Sequence, residues 1–368
     1  MGDISEEKRY WIGFSVFSGI GPKRFKLILN HFKSAKTAWH ADILDLESVL
    51  GKALSVKFNE FRKTFSNEKY IQKLQYKNIE IITLLDEHYP FLLTQIDDPP
   101  FLLYIKGNLR KWSSNKNDRV IAVVGTRKIT SYGQEVTENF TRELAHAGYI
   151  IVSGLAYGVD ACAHQATIDS GGITLAVLGC GVDCCTPREN EKIYDQILKS
   201  DGSILSEIPP GTSPTKGSFP SRNRIIAGLS RAVLVTEGAA DSGALYTAED
   251  AFKLNRLVFA VPGPITSILS KGPHSLIAKG GKLVTSAEDI LNQLMANGKG
   301  RMVSRKTTIR GDTKEEQMII DLLVNESLHF DDLVRKTKLD SAKQGTLLSI
   351  MEMKGMIKTI DGIYSLIY

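Results

Sequence analysis

Six short apolar runs punctuate the middle of the chain, at residues 120 to 124, 149 to 152, 173 to 178, 203 to 206, 231 to 235 and 257 to 261. Most are separated by segments of helix length, which predicts a doubly wound parallel sheet of the Rossmann-like α/β class. The first run is rich in β-branched residues and closes on Gly125, with a patterned helix from about Ser131, the signature of a buried strand feeding a strand-to-helix turn. Right-handed crossovers then bring the strand C-terminal ends to one edge. Upstream, Trp11, Phe14, Val16 and Phe17, then Phe25, Ile28, Leu29 and Phe32, recur at helical spacing, and helical periodicity runs to about Leu85. Downstream, residues 315 to 324, 330 to 337 and 341 to 354 read as three helices. Residues 356 to 366 read as a hairpin turning at Asp361-Gly362, and three helices with a hairpin make a winged helix. Asp97-Asp98-Pro99-Pro100 leads into a short strand near Tyr104, and residues 111 to 118 form a polar loop. The expected division is a helical domain at 1–85, a Rossmann-like core at 86–295, a linker at 296–312 and a winged helix at 313–368.

Composition narrows the picture little. Of 368 residues 42% are hydrophobic, enough for a large core. No apolar run approaches the roughly 20 residues that cross a bilayer, and the first residues lack a signal-like apolar segment, so a cytoplasmic protein with no membrane partner is expected. Cys162, Cys180, Cys184 and Cys185 lack metal-ligand spacing and read as core thiols, with no metal implied. Charge is more telling in its placement than in its sum of +5. Residues 299 to 312 carry Lys299, Arg301, Arg305, Lys306 and Arg310 against Asp312 alone, a basic linker. The segment after it is slightly acidic, which favours a protein-interaction or accessory role for the winged helix over groove reading, and places any nucleic-acid grip upstream.

The strand ends hold the candidate chemistry. After the first run stands Gly125-Thr126-Arg127, after the second Ser153-Gly154-Leu155-Ala156-Tyr157-Gly158-Val159-Asp160, and before the fifth Phe219-Pro220-Ser221-Arg222-Asn223-Arg224. A glycine turn before a helix favours an anion, and Arg127 adds a planar cation that grips phosphate with two hydrogen bonds. Dinucleotide binding is disfavoured, because the turn lacks Gly-x-Gly-x-x-Gly and the second strand ends in Ser153-Gly154 where a ribose-binding acid would stand. The phosphate loop of ATPases, the zinc-protease motif and the nucleophile elbow are also missing. Asp160 and His164 lie one helical turn apart, either a carboxylate–imidazole pair or a lock on the helix start; no nucleophile accompanies them. Ser18-Gly19-Ile20-Gly21-Pro22-Lys23-Arg24 resembles the hairpin of helix-hairpin-helix DNA-binding modules, or is a plain turn between packed helices.

These stretches, with Tyr132-Gly133, Ile225-Ile226-Ala227-Gly228-Leu229-Ser230, Ser242-Gly243-Ala244-Leu245 and Phe259-Ala260-Val261-Pro262-Gly263, closely resemble the DNA-processing protein A (DprA or Smf) family over residues 86 to 290. The resemblance implies a non-catalytic, cofactor-free homodimer that binds and protects single-stranded DNA in natural transformation and recombination and helps load RecA. It also implies an N-terminal helix-hairpin-helix or SAM-like domain. Carried over, Arg127 is the principal phosphate contact, shaped by Gly125 and Thr126. Ser153, Gly154, Lys192, Arg222, Asn223 and Arg224 share the rim, and His274, Ile277 and Leu283 mark the dimer edge. The competing reading is a nucleotide-processing enzyme of the phosphoribohydrolase type with Glu237 or Asp160 as acid or base. Against it, the chain lacks that group's Pro-Gly-Gly-x-Gly-Thr loop.

Overall fold

The computed structural model describes residues 4–112, 119–296, 311–323, 328–354, 356–360 and 362–366. Residues 113–118 of the polar loop expected at 111 to 118, and most of the basic linker, fall outside them; Lys111 and Trp112 instead end the short helix Leu109–Trp112, with Trp112 buried. Two compact units result, 1–299 and 300–368.

The first unit is built on nine strands: β1 (Glu80–Thr83), β2 (Leu102–Gly107), β3 (Val120–Val124), β4 (Ile150–Ser153), β5 (Thr174–Val177), β6 (Ser203–Ser206), β7 (Ala232–Val235), β8 (Leu257–Ala260) and β9 (Lys282–Leu283). Their order is β1-β2-β6-β5-β4-β3-β7-β8-β9. The seven from β6 to β9 run parallel, and β1 and β2 are antiparallel additions at one side. All six expected strands form, each end within one residue of its expected place. The alternation inside β3 explains why both faces are dry: Val120, Ala122 and Val124 enter one core, Ile121 and Val123 the other. The first face is covered by the helices Ser218–Leu229 and Ala244–Lys253. The second is covered by Ser131–His146, Val159–Asp169 and Ala287–Ala296.

The N-terminal helices differ from the expected separate domain. Phe25 stacks on Phe101 with ring centroids 4.0 Å apart, and Trp11 meets the same ring at 6.2 Å. Tyr104 of β2 is fully buried beneath them, its hydroxyl 2.6 Å from that of Ser15. This aromatic cluster continues into Ala176, Leu178 and Ile204 of the sheet, so the helices form a third patch of cover on the same sheet. The expected boundary at 85 moves for a related reason. β1 already pairs with β2, Glu80 opposite Ile105 and Thr83 opposite Leu102, and four residues after a helix are too few to display a strand period.

The second unit holds the helices Lys314–Leu323, Phe330–Thr337 and Ser341–Met353 with β10 (Leu328–His329), β11 (Ile357–Ile360) and β12 (Ile363–Leu366), ordered β10-β12-β11. Ile319, Leu333, Leu348 and Ile357 close its core. It is the expected winged helix, plus a two-residue strand too short to read from sequence.

Candidate functional site

β3 lies between β4 on one side and β7 on the other, so the chain reverses its direction of winding there, and such a switch opens a crevice at the strand C-terminal ends. The loop leaving β3 turns on Gly125, where an added Cβ would stand 2.6 Å from Val159 Cγ2 and 2.7 Å from the Glu237 carbonyl oxygen. Thr126 N–H donates to that carbonyl at 2.7 Å, and its own carbonyl accepts from Val159 N–H at 3.1 Å. The Thr126 hydroxyl accepts from Lys128 N–H at 3.1 Å. The backbone is thus stitched down on three sides. Arg127 emerges from it exposed, with its guanidinium carbon 5.6 Å from the centroid of the Phe219 ring and no carboxylate partner among the described residues.

Arg127 forms one wall of a cleft of about 620 Å³. Lys216, Phe219, Asn223, Ser242 and Tyr246 line the cleft as well. Lys216 is exposed and has no acidic partner among the described residues; Tyr246 is exposed as well. Asp241 is the exposed acid on the lining. Two free cations flanking aromatic rings suit a ligand that carries both anionic charge and planar faces. Lys216 and Tyr246 escaped the sequence reading. The available signal for Lys216 was a cation three residues before Phe219, in a segment without regular pattern.

The other expected rim residues divide sharply. Arg222 is buried and donates to the carbonyls of Gly154, at 2.6 Å, and of Val177. Burial lowers its pKa, opposed by the charge of Asp160. A Cβ on Gly154 would lie 1.9 Å from the Arg222 guanidinium, so glycine there is a condition of that packing. Arg224 is paired with Glu207 and lies 3.7 Å from Asp98. Both arginines brace the frame: Arg222 borders the cleft but is buried with its N–H groups turned to those carbonyls, and Arg224 is not on the cleft lining. Ser153 is likewise buried, donating to the Val123 carbonyl at 2.6 Å. Asn223 lines the cleft and donates to the Gly243 carbonyl at 3.2 Å. Lys192 is exposed on the first turn of the helix Glu191–Lys199 and is not part of the cleft lining.

The candidate acid and base groups are also consumed. Glu237 is buried, accepting from Thr130 N–H at 3.0 Å and from its hydroxyl at 2.7 Å, and so anchors the start of the helix Ser131–His146. Asp160 accepts from Gly154 N–H at 3.1 Å and Ala156 N–H at 3.4 Å, with its pKa raised by burial. It locks the helix Val159–Asp169 against the loop after β4. His164 turns away to Thr174, 2.7 Å from that hydroxyl, which itself donates to the Ile151 carbonyl at 2.9 Å, so the ring Nδ1–H is the donor. Burial drives the imidazole pKa down to about 3. Cys180 is buried and Cys162, Cys184 and Cys185 are half-buried; all four are free thiols, and no metal-ligating cluster occurs among the described residues.

At the far edge, β9 pairs with β8, and Leu283 on it is 53% exposed. His274 is half-buried with Nε2 3.1 Å from the Gly263 carbonyl oxygen, and Ile277 packs against the core.

The family model of DNA recombination-mediator protein A matches residues 80–295, spanning the sheet and every wall of the cleft. The chain belongs to this family. A second family model, the DprA winged helix domain, matches residues 304–362 of the recombination-mediator chain. Relatives in the family include protein Smf of Synechocystis, 38% identical over 79% of this chain and 74% of its own. DNA processing protein A of Streptococcus pneumoniae superposes with a TM-score of 0.67 at 36% identity, covering 77% of this chain and 97% of that one. DNA processing protein A of Helicobacter pylori, solved for its single-stranded DNA binding mode, superposes with a TM-score of 0.53 at 31% identity, over 59% and 96%. No helix among the described residues of this family member is long and apolar enough to cross a membrane.

Proposed function

We propose that the cleft at the end of β3 binds single-stranded DNA, without cutting it, in DNA processing for natural transformation and recombination. The observation that carries this reading is the pair of cations, Arg127 and Lys216, that line one cleft with no carboxylate partner among the described residues, Arg127 lying over the Phe219 ring. Phosphates meet the cations and unstacked bases meet the rings, contacts that tolerate any sequence and that a closed duplex offers poorly. The Helicobacter pylori neighbour's single-stranded DNA binding supports the same ligand here. Titration of labelled single-stranded and duplex oligonucleotides with wild type and Arg127→Ala tests it. Single strands bind more tightly and the variant weakens them; equal binding by wild type and variant across a salt series overturns the reading.

A phosphoribohydrolase loses support because Asp160 and Glu237 are each held by backbone amides or a hydroxyl inside the frame. Free base released from nucleoside monophosphates would restore it. The family's description as a recombination mediator supports delivery of the strand to the recombinase RecA in the cytoplasm. The exposed edge at Leu283, with Ile265 and Ile268 exposed in the loop after β8, supports a homodimer through that side of the sheet. Leu283→Asp shifts sedimentation toward monomer if that edge is the interface.

A further inference from the structure

The first turn of the helix Ser218–Leu229 is a shared wall. On one side Lys216, Phe219 and Asn223 face the cleft; on the other, Thr215, Gly217, Ser218 and Ser221 border a second groove of about 520 Å³. The opposite wall of that groove is the N-terminal hairpin, through Ile20, Gly21 and Pro22. The helix Pro22–Phe32 begins there, and Lys23, Arg24 and Lys26 stand exposed in its first two turns with no acid among its first residues.

Position sets these cations apart. The exposed Lys33, Lys52, Lys57, Lys69 and Lys73 of the same layer also lack a carboxylate partner among the described residues, but Lys23, Arg24 and Lys26 directly follow the hairpin residues that line the groove. Elsewhere in the same helical layer Lys8, Lys36, Lys63 and Lys77 each meet a carboxylate, Asp86, Glu6, Glu60 and Asp183. Lys23 and Lys26 have no such partner among the described residues, and Arg24 spends one N–H on the Gly19 carbonyl at 2.7 Å. The acids on the groove lining, Asp98 and Glu207, share Arg224 as their one cationic partner among the described residues and are partly buried, so the lining itself keeps a formal charge of −1. Lys23, Arg24 and Lys26, just beyond the hairpin residues that line the groove, carry three positive charges with no acid in the first turn of their helix.

We propose that the groove and hairpin are a second leg of the nucleic-acid path. A single strand held by Arg127 and Lys216 continues over the first turn of Ser218–Leu229, and its next phosphates meet Lys23, Arg24 and Lys26. The proposal rests on the reading of the cleft as a single-stranded DNA site and lengthens it. The helix-hairpin-helix likeness of residues 18 to 24 then has a job: it faces a single strand emerging from the neighbouring cleft.

Oligonucleotide length separates the two legs. A strand of about 6 nucleotides fills the cleft alone, while one of about 20 reaches the hairpin. Lys23→Glu with Lys26→Glu, both exposed, leaves the short strand's affinity at the wild-type value. The same double variant costs the long strand several-fold and lowers its salt slope by roughly 1.4, two phosphate contacts at about 0.7 each. The milder Lys23→Gln with Lys26→Gln moves both readouts the same way by less, and a matching thermal melt excludes misfolding. Long-strand binding unchanged by the charge reversal overturns the second leg, as does an equal loss at both lengths, which would mark a general field. If Arg127→Ala leaves the short strand's affinity intact, the cleft reading itself fails, whatever the hairpin variants do.

Discussion

Arg127 and Arg222 have the same side chain within one site and do opposite work. Arg127 leaves a turn whose backbone is fully stitched down, so its charge faces solvent and a ligand. Arg222 points into the frame, capping the carbonyls at the ends of β4 and β5 above Asp160. A cation is available for binding only where the fold gives it no internal acceptor. Arg127 against Arg224 repeats the lesson; Lys192 is as exposed as Lys216 and differs from it only in lying off the cleft lining.

The largest effect expected from breaking this contrast is on stability. Arg222→Ala orphans the Gly154 and Val177 carbonyls and leaves Asp160 without its buried counter-charge, a loss of about 3–5 kcal/mol measurable by urea denaturation. A loss below about 1 kcal/mol would show that Arg222 is not structural. Arg127→Ala is the mirror image. Its melt stays within about 0.5 kcal/mol of wild type, while single-strand affinity falls by about 1.5–3 kcal/mol, roughly 10- to 100-fold.

His164 sharpens the frame side through pH. Its folded pKa of about 3 lies below the ordinary 6.5, so between those values the unfolded chain binds a proton that the folded chain refuses. Stability is therefore present above about 6.5 and is lost as pH falls toward 3, by about 2 kcal/mol at pH 5. Asp183, whose pKa is lowered, loses stability in the same direction, so the informative quantity is the difference from His164→Gln. Urea midpoints at pH 7.5 and 5 converge for that variant; an unchanged acid limb rules out His164 as its source. The smallest effect separates two lysines. Lys216→Ala weakens the single strand by up to about 1 kcal/mol and lowers the salt slope by roughly 0.7, and Lys192→Ala changes neither. The reverse result would place the strand along the helix Glu191–Lys199.

Much of the architecture was legible because parallel strands buried on both faces must be apolar throughout, and the spacing of six such runs specifies the sheet that joins them. The Gly125-Thr126-Arg127 turn was legible for a local reason as well: a glycine at a strand end before a helix announces a close backbone approach. β1 and β9 were not, because four- and two-residue strands exist only through their partners in the sheet. The fusion of the N-terminal helices to the sheet also escaped, since Phe25 and Phe101 read as ordinary core residues until their rings are seen stacked.

The chain by itself determined a doubly wound parallel sheet, the winged helix and the rim where strand ends converge, all consequences of periodicity and turn chemistry over a few residues. It could not say which cations on that rim are free. That depends on whether a carbonyl or carboxylate from a distant segment lies within about 3 Å, and only the tertiary structure brings Val177 to Arg222, Glu207 to Arg224 and, among the described residues, nothing of the kind to Arg127 or Lys216.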